Sequence, residues 1–257
     1  MKLKDFFYLL IGVCFLCQSC GEKDGPGTNF KDVTLNCEQT YTITGGEDIE
    51  WKSDNPLIAS VSGNIVTANV IGETSIRSSK GSFKVTVKGI MSKVYDIPCL
   101  EWGASKSRVK SFMSGRTLSK ETTTDLVYYG SGAEIMTMYT FQSDKLKNSG
   151  VALSGSYISS SKLADYMLER YIPVSYDEDS YYFYFVTPDK KTGLALTLSV
   201  SGGNVIYMIA YVPYSSTYSQ VELKSYSAFD WQQYIDIENN EDLALSYFEE
   251  IKNALNM

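Results

Sequence analysis

The sequence predicts a mainly β protein with an α+β part: an N-terminal β-sandwich, then an antiparallel sheet built from a tandem repeat of one helix and three strands. Three observations predict it. The chain carries 20 tyrosines and few long helical periodicities, and aromatic and β-branched side chains fit a pleated, half-buried surface. Short alternating stretches separated by turn residues fill Phe30 to Gly89. Between residues 93 and 213 the order helix, strand, strand, strand occurs twice at an offset of about 57 residues, the mark of a duplication. At 257 residues, with 44% hydrophobic and 21% charged side chains, the chain is long enough for two folded units.

Residues 1–19 are expected to be an export signal. Lys2 and Lys4 precede an eleven-residue apolar run, Phe6 to Leu16, too short for a bilayer, which takes about 20 residues, but right for a signal h-region. Leu16-Cys17-Gln18-Ser19-Cys20 follows and resembles the lipobox of bacterial lipoproteins, although Cys17 and Gln18 depart from its strictest form. The resemblance implies lipidation of Cys20 and attachment to a membrane through its acyl chains, each buried methylene contributing about 0.8 kcal/mol. Gly21 to Asn29, GEKDGPGTN, holds no apolar residue and reads as a flexible tether over 20–29. Its Glu22-Lys23-Asp24 resembles the short charged signal that sends some lipoproteins to the outer face of the outer membrane; a solvated linker on a periplasm-facing protein is the alternative.

Residues 30–89 hold strand stretches at Val33–Leu35, Tyr41–Ile43, Ile49–Trp51, Ile65–Thr67, Ser75–Arg77 and Phe83–Val87, with turns at Gly45-Gly46, Asp54-Asn55-Pro56, Ser62-Gly63-Asn64 and Lys80-Gly81. The run from Trp51 through Ser53-Asp54-Asn55-Pro56, Ile58-Ala59, Ser62-Gly63-Asn64, Val66-Thr67 and Gly72 to Ile76 resembles the group 2 bacterial immunoglobulin-like family. Trp51 would fill the core between sheets, and Gly72 would allow a tight bend. The resemblance implies a stalk or adhesion module and no particular ligand.

Residues 93–257 begin with a helix from Ser105 to Met113, capped by Ser105, with Val109, Phe112 and Met113 on one side. Strands are expected at Thr123–Tyr129, Glu134–Phe141 and Lys145–Leu153. The second copy has a cap at Ser159–Ser161, a helix carrying Leu163, Tyr166, Met167, Arg170 and Tyr171, and strands at Tyr181–Thr187, Gly193–Val200 and Asn204–Val212. Asn240-Glu241-Asp242 caps a final amphipathic helix with Leu243, Tyr247, Phe248, Ile251 and Leu255 inward. The doubled element order, with Trp102 to Val109 and Tyr139 to Leu146, resembles the β-lactamase-inhibitor-protein-like fold. That resemblance implies helices on one sheet face and a protein partner on the other. Period-two alternation offers Tyr182, Tyr184, Thr197, Ser199, Tyr207 and Tyr211 as that exposed face; the opposing reading has these rings packed under the C-terminal tail.

The net charge of −7 becomes one unit more negative when the signal, with Lys2, Lys4 and Asp5, is removed. With no basic run, nucleic acid is not an expected partner. The chain contains no histidine, which rules out serine–histidine and cysteine–histidine catalysis and removes the commonest zinc ligand. Ser159-Ser-Ser-Lys162, Ser53-Asp54-Asn55 and Lys191-Thr192-Gly193 match the three short motifs of serine penicillin-binding enzymes, but in the wrong order and spacing. Asp177-Glu178-Asp179 reads as a solvated loop rather than as a glycosidase pair or calcium loop. Cys37 and Cys99 allow a disulfide in an oxidising compartment; two buried free thiols are the preferred reading. The expectation is a non-catalytic outer-membrane lipoprotein, exposed at the cell surface, with an Ig-like stalk presenting a protein- or carbohydrate-binding module and no cofactor or metal. The alternatives are a periplasm-facing assembly factor or inhibitor, and a carboxylate enzyme acting on glycans.

Overall fold

The computed structural model describes residues 30–214, 231–238 and 240–257; the signal, the tether and Cys20 lie outside the described residues. Among the described residues the architecture is mostly β with three α-helices.

The N-terminal unit has seven strands: β1 (Val33–Asn36), β2 (Thr40–Thr42), β3 (Lys52–Ser53), β4 (Ala59–Ser62), β5 (Ile65–Ala68), β6 (Gly72–Ser78) and β7 (Gly81–Lys88). They form a sheet of order β1-β7-β6-β3 and a second of order β2-β5-β4, and one core lies between them. It contains Leu35, Ile43, Trp51, Ile58, Val66, Ile76, Phe83, Val85 and Val87. The inward residues of β7, Phe83, Val85 and Val87, are spaced by two, as one-sided burial of a strand requires. Trp51 meets Phe30 edge-on at 4.8 Å and Phe83 at 5.8 Å, and its indole N–H donates to the Gly46 carbonyl at 3.2 Å. A Cβ on Gly46 would stand 2.8 Å from that nitrogen, so the turn needs glycine there. Two local expectations differ. Ile49–Trp51 is not a strand, pairing being confined to Lys52–Ser53, because Trp51 is used to plug the core. Ala59–Ser62 is a strand that its short, polar composition concealed.

Among the described residues, the C-terminal unit is one antiparallel sheet of eight strands with three α-helices. In chain order come α1 (Lys106–Phe112), β8 (Leu118–Glu121), β9 (Asp125–Tyr129), β10 (Glu134–Gln142), β11 (Lys145–Ser154), α2 (Ser160–Leu168), β12 (Ile172–Asp177), β13 (Tyr182–Val186), β14 (Thr192–Ser201), β15 (Asn204–Pro213) and α3 (Glu241–Ala254). The strand order is β12-β13-β14-β15-β11-β10-β9-β8. The last strands of the two copies, β11 and β15, meet antiparallel at the centre, so each copy runs outward from a shared seam. Each copy has four strands rather than three. The extra ones are the edges: β8, exposed throughout, shows no apolar alternation, and β12 contains Pro173 beside a register shift. Charged, short or proline-bearing strands are what edges tolerate, since these features block pairing with another chain.

The helices start where capping chemistry dictates. Ser105, Ser159 and Asn240 accept the backbone N–H three residues on, at 3.2–3.3 Å. Helices α2 and α3 cover one face of β13, β14 and β15, where Phe183, Phe185, Leu194, Leu196, Leu198, Ile209 and Phe248 are buried. Phe248 stacks on Phe183 at 4.5 Å. Helix α1 covers Leu126, Tyr128, Tyr139 and Phe141.

Candidate functional site

The six residues expected to form one exposed face do not share a face. Strands β14 and β15 are joined by a two-residue turn, Gly202-Gly203, with both φ angles positive at 56° and 71°, the type I′ geometry of tight hairpins. Pairing therefore sets Leu198 opposite Tyr207, Leu194 opposite Tyr211 and Thr197 opposite Met208. Tyr182, Tyr184, Thr197 and Ser199 lie with Ile206, Met208 and Ala210, whereas Tyr207 and Tyr211 lie with the leucines under the helices. That correction has a physical reason. Facing strands share a face at directly opposed residues, so the turn, not the polarity of one strand, decides which way Tyr207 points.

Nor is the face carrying Tyr184 open. Tyr184 is 1% exposed and Thr197 7%, with Tyr182 and Ser199 half-buried. Tyr182 and Tyr184 stack at 5.9 Å. Toward the seam, Trp231 and Ile235 bury Val127, Met138, Ala152, Ile206, Met208 and Ala210, and Lys120 holds its ammonium 4.7 Å from the ring centre of Tyr234.

On the helix side the tyrosine hydroxyls satisfy one another. The Tyr95 hydroxyl is 2.6 Å from that of Tyr211, which is 3.3 Å from that of Tyr171, and Tyr166 donates to the Tyr95 carbonyl at 3.4 Å. Tyr207 pairs with Ser160 at 3.1 Å. Burial disfavours the phenolate and pushes Tyr171 and Tyr207 up to about 12 and Tyr95 and Tyr211 well above their ordinary value. These rings are neutral packing groups at physiological pH.

A second polar cluster escaped the sequence. Arg116 pairs with Glu134 at 2.8 Å and also with Asp96, while the Glu134 side chain is 2% exposed and accepts the Asp96 N–H. The Asp96 carboxyl lies below its usual range through its bond to Lys93 and, against partial burial, the Arg116 guanidinium. A cleft of about 270 Å³ opens beside the cluster, lined by Ile97, Pro98, Phe112, Met113, Thr137 and Tyr139 among others. No spacing signal connects residues 96, 116 and 134, which lie on three separate segments.

The joint between the two units is the other built feature. The Glu169 carboxylate, at the end of α2, accepts the N–H groups of Ile90 and Met91 at 2.6 and 2.9 Å, and its carbonyl accepts Ile71 N–H at 2.7 Å. Asn55 donates to the Pro188 carbonyl at 3.0 Å. Cys37 and Cys99 are free and buried; burial raises both thiols, Cys37 to about 11, so neither is primed as a nucleophile. The three enzyme-like motifs do not converge. Ser53-Asp54-Asn55 adjoins the Thr187–Thr192 hairpin, but Ser159 is spent capping α2 at the end of that helix away from the joint. Among the described residues, no group of three or more metal-ligating side chains comes together, and no helix is long and apolar enough to cross a membrane.

No protein-family model matches this chain, and no curated protein matches it. A solved structure of the surface layer protein SbsC, domains 4–9, aligns over 74% of this chain and 26% of its own, at 10% identity and a TM-score of 0.18. The chain thus spans about a quarter of that structure, and a likeness so slight carries no argument about fold or location.

The arrangement has a direction. Strand β1 runs parallel to β7 toward the joint, so residue 30 enters the N-terminal unit at the end opposite the joint. In the C-terminal unit the joint lies at the end bearing Pro188 and Glu169. The turns 130–133, 155–158 and 202–203 lie together at the other end, as the pairings Glu134 with Leu153, Ser154 with Ile206 and Ser201 with Asn204 require. Tyr157 in the second of these turns is 75% exposed.

Proposed function

We propose that this chain is a non-catalytic envelope lipoprotein, anchored through Cys20, whose N-terminal sandwich is an Ig-like stalk that carries the C-terminal unit outward to meet a protein or carbohydrate partner. The observation that carries this reading is the direction of the chain. Residue 30 enters the sandwich at the end opposite the joint, the sandwich leads to the joint, and the turns around Tyr157 lie at the far end of the C-terminal unit from that joint. Support comes also from the resemblance of Trp51 to Ile76 to the group 2 bacterial Ig-like family, and of Leu16 to Cys20 to the lipobox. The proposal places recognition on the distal turns rather than on the sheet, because both sheet faces carry buried cores and loops on a rigid frame are where recognition is grafted. Nucleic acid is not the proposed partner, since the acidic chain holds no run of lysine or arginine to neutralise phosphates. The doubled helix-and-strand unit, on this reading, belongs with the β-lactamase-inhibitor-protein-like folds, used here end-on.

The anchor is tested by Cys20→Ser. Without a thiol to acylate, the protein is expected to leave the membrane fraction or to accumulate uncleaved, while the wild-type chain partitions into detergent. A correctly cleaved Cys20→Ser protein that still fractionates with membranes would overturn the lipid-anchor reading.

A further inference from the structure

We propose that Glu169 is a latch that fixes the two units in one orientation, so that the chain acts as a single rigid arm and not as two units on a hinge. The inference rests on the joint alone and stands whatever the chain binds. Gly89, Ile90 and Met91 are the residues that leave β7 for the C-terminal unit. In a free linker their N–H groups would be left to water. Here the N–H groups of Ile90 and Met91 both point to one carboxylate oxygen of Glu169, at 2.6 and 2.9 Å, on a side chain only 10% exposed. Bonds to an ionised acceptor are the stronger kind, and a buried one releases its donors reluctantly. Arg170 balances the charge at 3.1 Å from the other oxygen. Its guanidinium is held in turn by the Tyr166 carbonyl at 3.0 Å and lies 3.6 Å from the centre of the Tyr166 ring.

Two further contacts resist rotation about that point. The Glu169 carbonyl takes Ile71 N–H at 2.7 Å just before β6, so the two oxygen-bearing groups of one residue hold the linker and a segment of the other unit. Asn55, on a different turn, holds the Pro188 carbonyl at 3.0 Å. The fit is close: a Cβ on Gly89 would lie 2.6 Å from the Glu169 carboxylate and 2.7 Å from the Ile71 side chain. A hinge has one tie and slack around it, whereas this joint has ties on three segments and no space for a side chain at Gly89, although a cleft of about 340 Å³ opens beside Ile90, Met91 and Glu169.

Amide hydrogen exchange on the full chain in detergent tests the proposal. In the wild type, the Ile71, Ile90 and Met91 amides are expected to exchange as slowly as strand amides in the two cores. Glu169→Ala should speed Ile90 and Met91 by about 100-fold while the core amides keep their rates. Glu169→Gln, which keeps an acceptor oxygen but removes the charge facing Arg170, should give a smaller increase. Gly89→Ala leaves Glu169 in place and crowds it, and should loosen the same two amides. Wild-type exchange of Ile90 and Met91 at the rate of an unstructured chain would overturn the latch. So would rates unaltered by both Glu169→Ala and Gly89→Ala. If Glu169→Ala fails to fold, the wild-type rates and Gly89→Ala decide.

Discussion

Tyr207→Ala is expected to destabilise the C-terminal unit by about 3–5 kcal/mol, the range for removing an aromatic ring from a packed core. Tyr207 is fully buried, lies opposite Leu198, approaches the Tyr247 ring at 6.4 Å and shares a hydrogen bond with Ser160. Tyr207→Phe keeps the ring and gives up only that bond, so its cost should be about 1 kcal/mol. Urea unfolding followed by tyrosine and tryptophan fluorescence reads both. A Tyr207→Ala protein as stable as the wild type would mean that the ring faces outward, as the alternation of β15 by itself suggests.

A loss of similar size, by a different mechanism, is expected from Arg116→Met. The substitution leaves the Glu134 carboxylate, 2% exposed, with the Asp96 N–H and no cation. Breaking a buried pair from one side costs about 3–5 kcal/mol because a charge stays behind uncompensated. The double variant Arg116→Met with Glu134→Gln removes that charge and should recover most of the loss. Denaturation midpoints of the two variants are the measurement. A double variant no more stable than Arg116→Met would show that the arginine matters through packing alone, not through its charge.

Much of the fold was legible because it rests on local rules. The three helix starts follow from Ser105, Ser159 and Asn240 as caps, and the inward residues of β7 and β14 follow from period two. The order of helices and central strands after residue 105 showed in the spacing of caps and turns. What was not legible depends on partners far away in sequence. The edge strand β8 is exposed throughout and carries no apolar alternation, so it lacks the signal, whereas β12 alternates Ile172, Val174 and Tyr176 but contains Pro173, which argues against a paired strand. The parallel pairing of β1 with β7 has no local trace. Tyr207 and Tyr211 were misplaced for an avoidable reason: counting back from the Gly202-Gly203 turn puts each opposite a leucine, and that count outweighs the polarity of tyrosine. The hydroxyls that suggested an exposed face are instead satisfied by Ser160, Tyr95 and Tyr171, as buried phenols must be. The Arg116 and Glu169 contacts could not have been anticipated, because an arginine or glutamate at a helix end reads the same whether it meets solvent or another unit.

The central proposal is that the chain is displayed on the outer face of the cell with the turns around Tyr157 leading, and surface labelling of Tyr157→Cys tests it most directly. Tyr157 is 75% exposed, and a thiol there should react with a membrane-impermeant maleimide. The native Cys37 and Cys99 are buried, with thiols held in the protonated form, and should stay silent. The account predicts that intact cells label Tyr157→Cys as fully as cells with a permeabilised outer membrane. Labelling only after permeabilisation would contradict it and place the C-terminal unit on the periplasmic side.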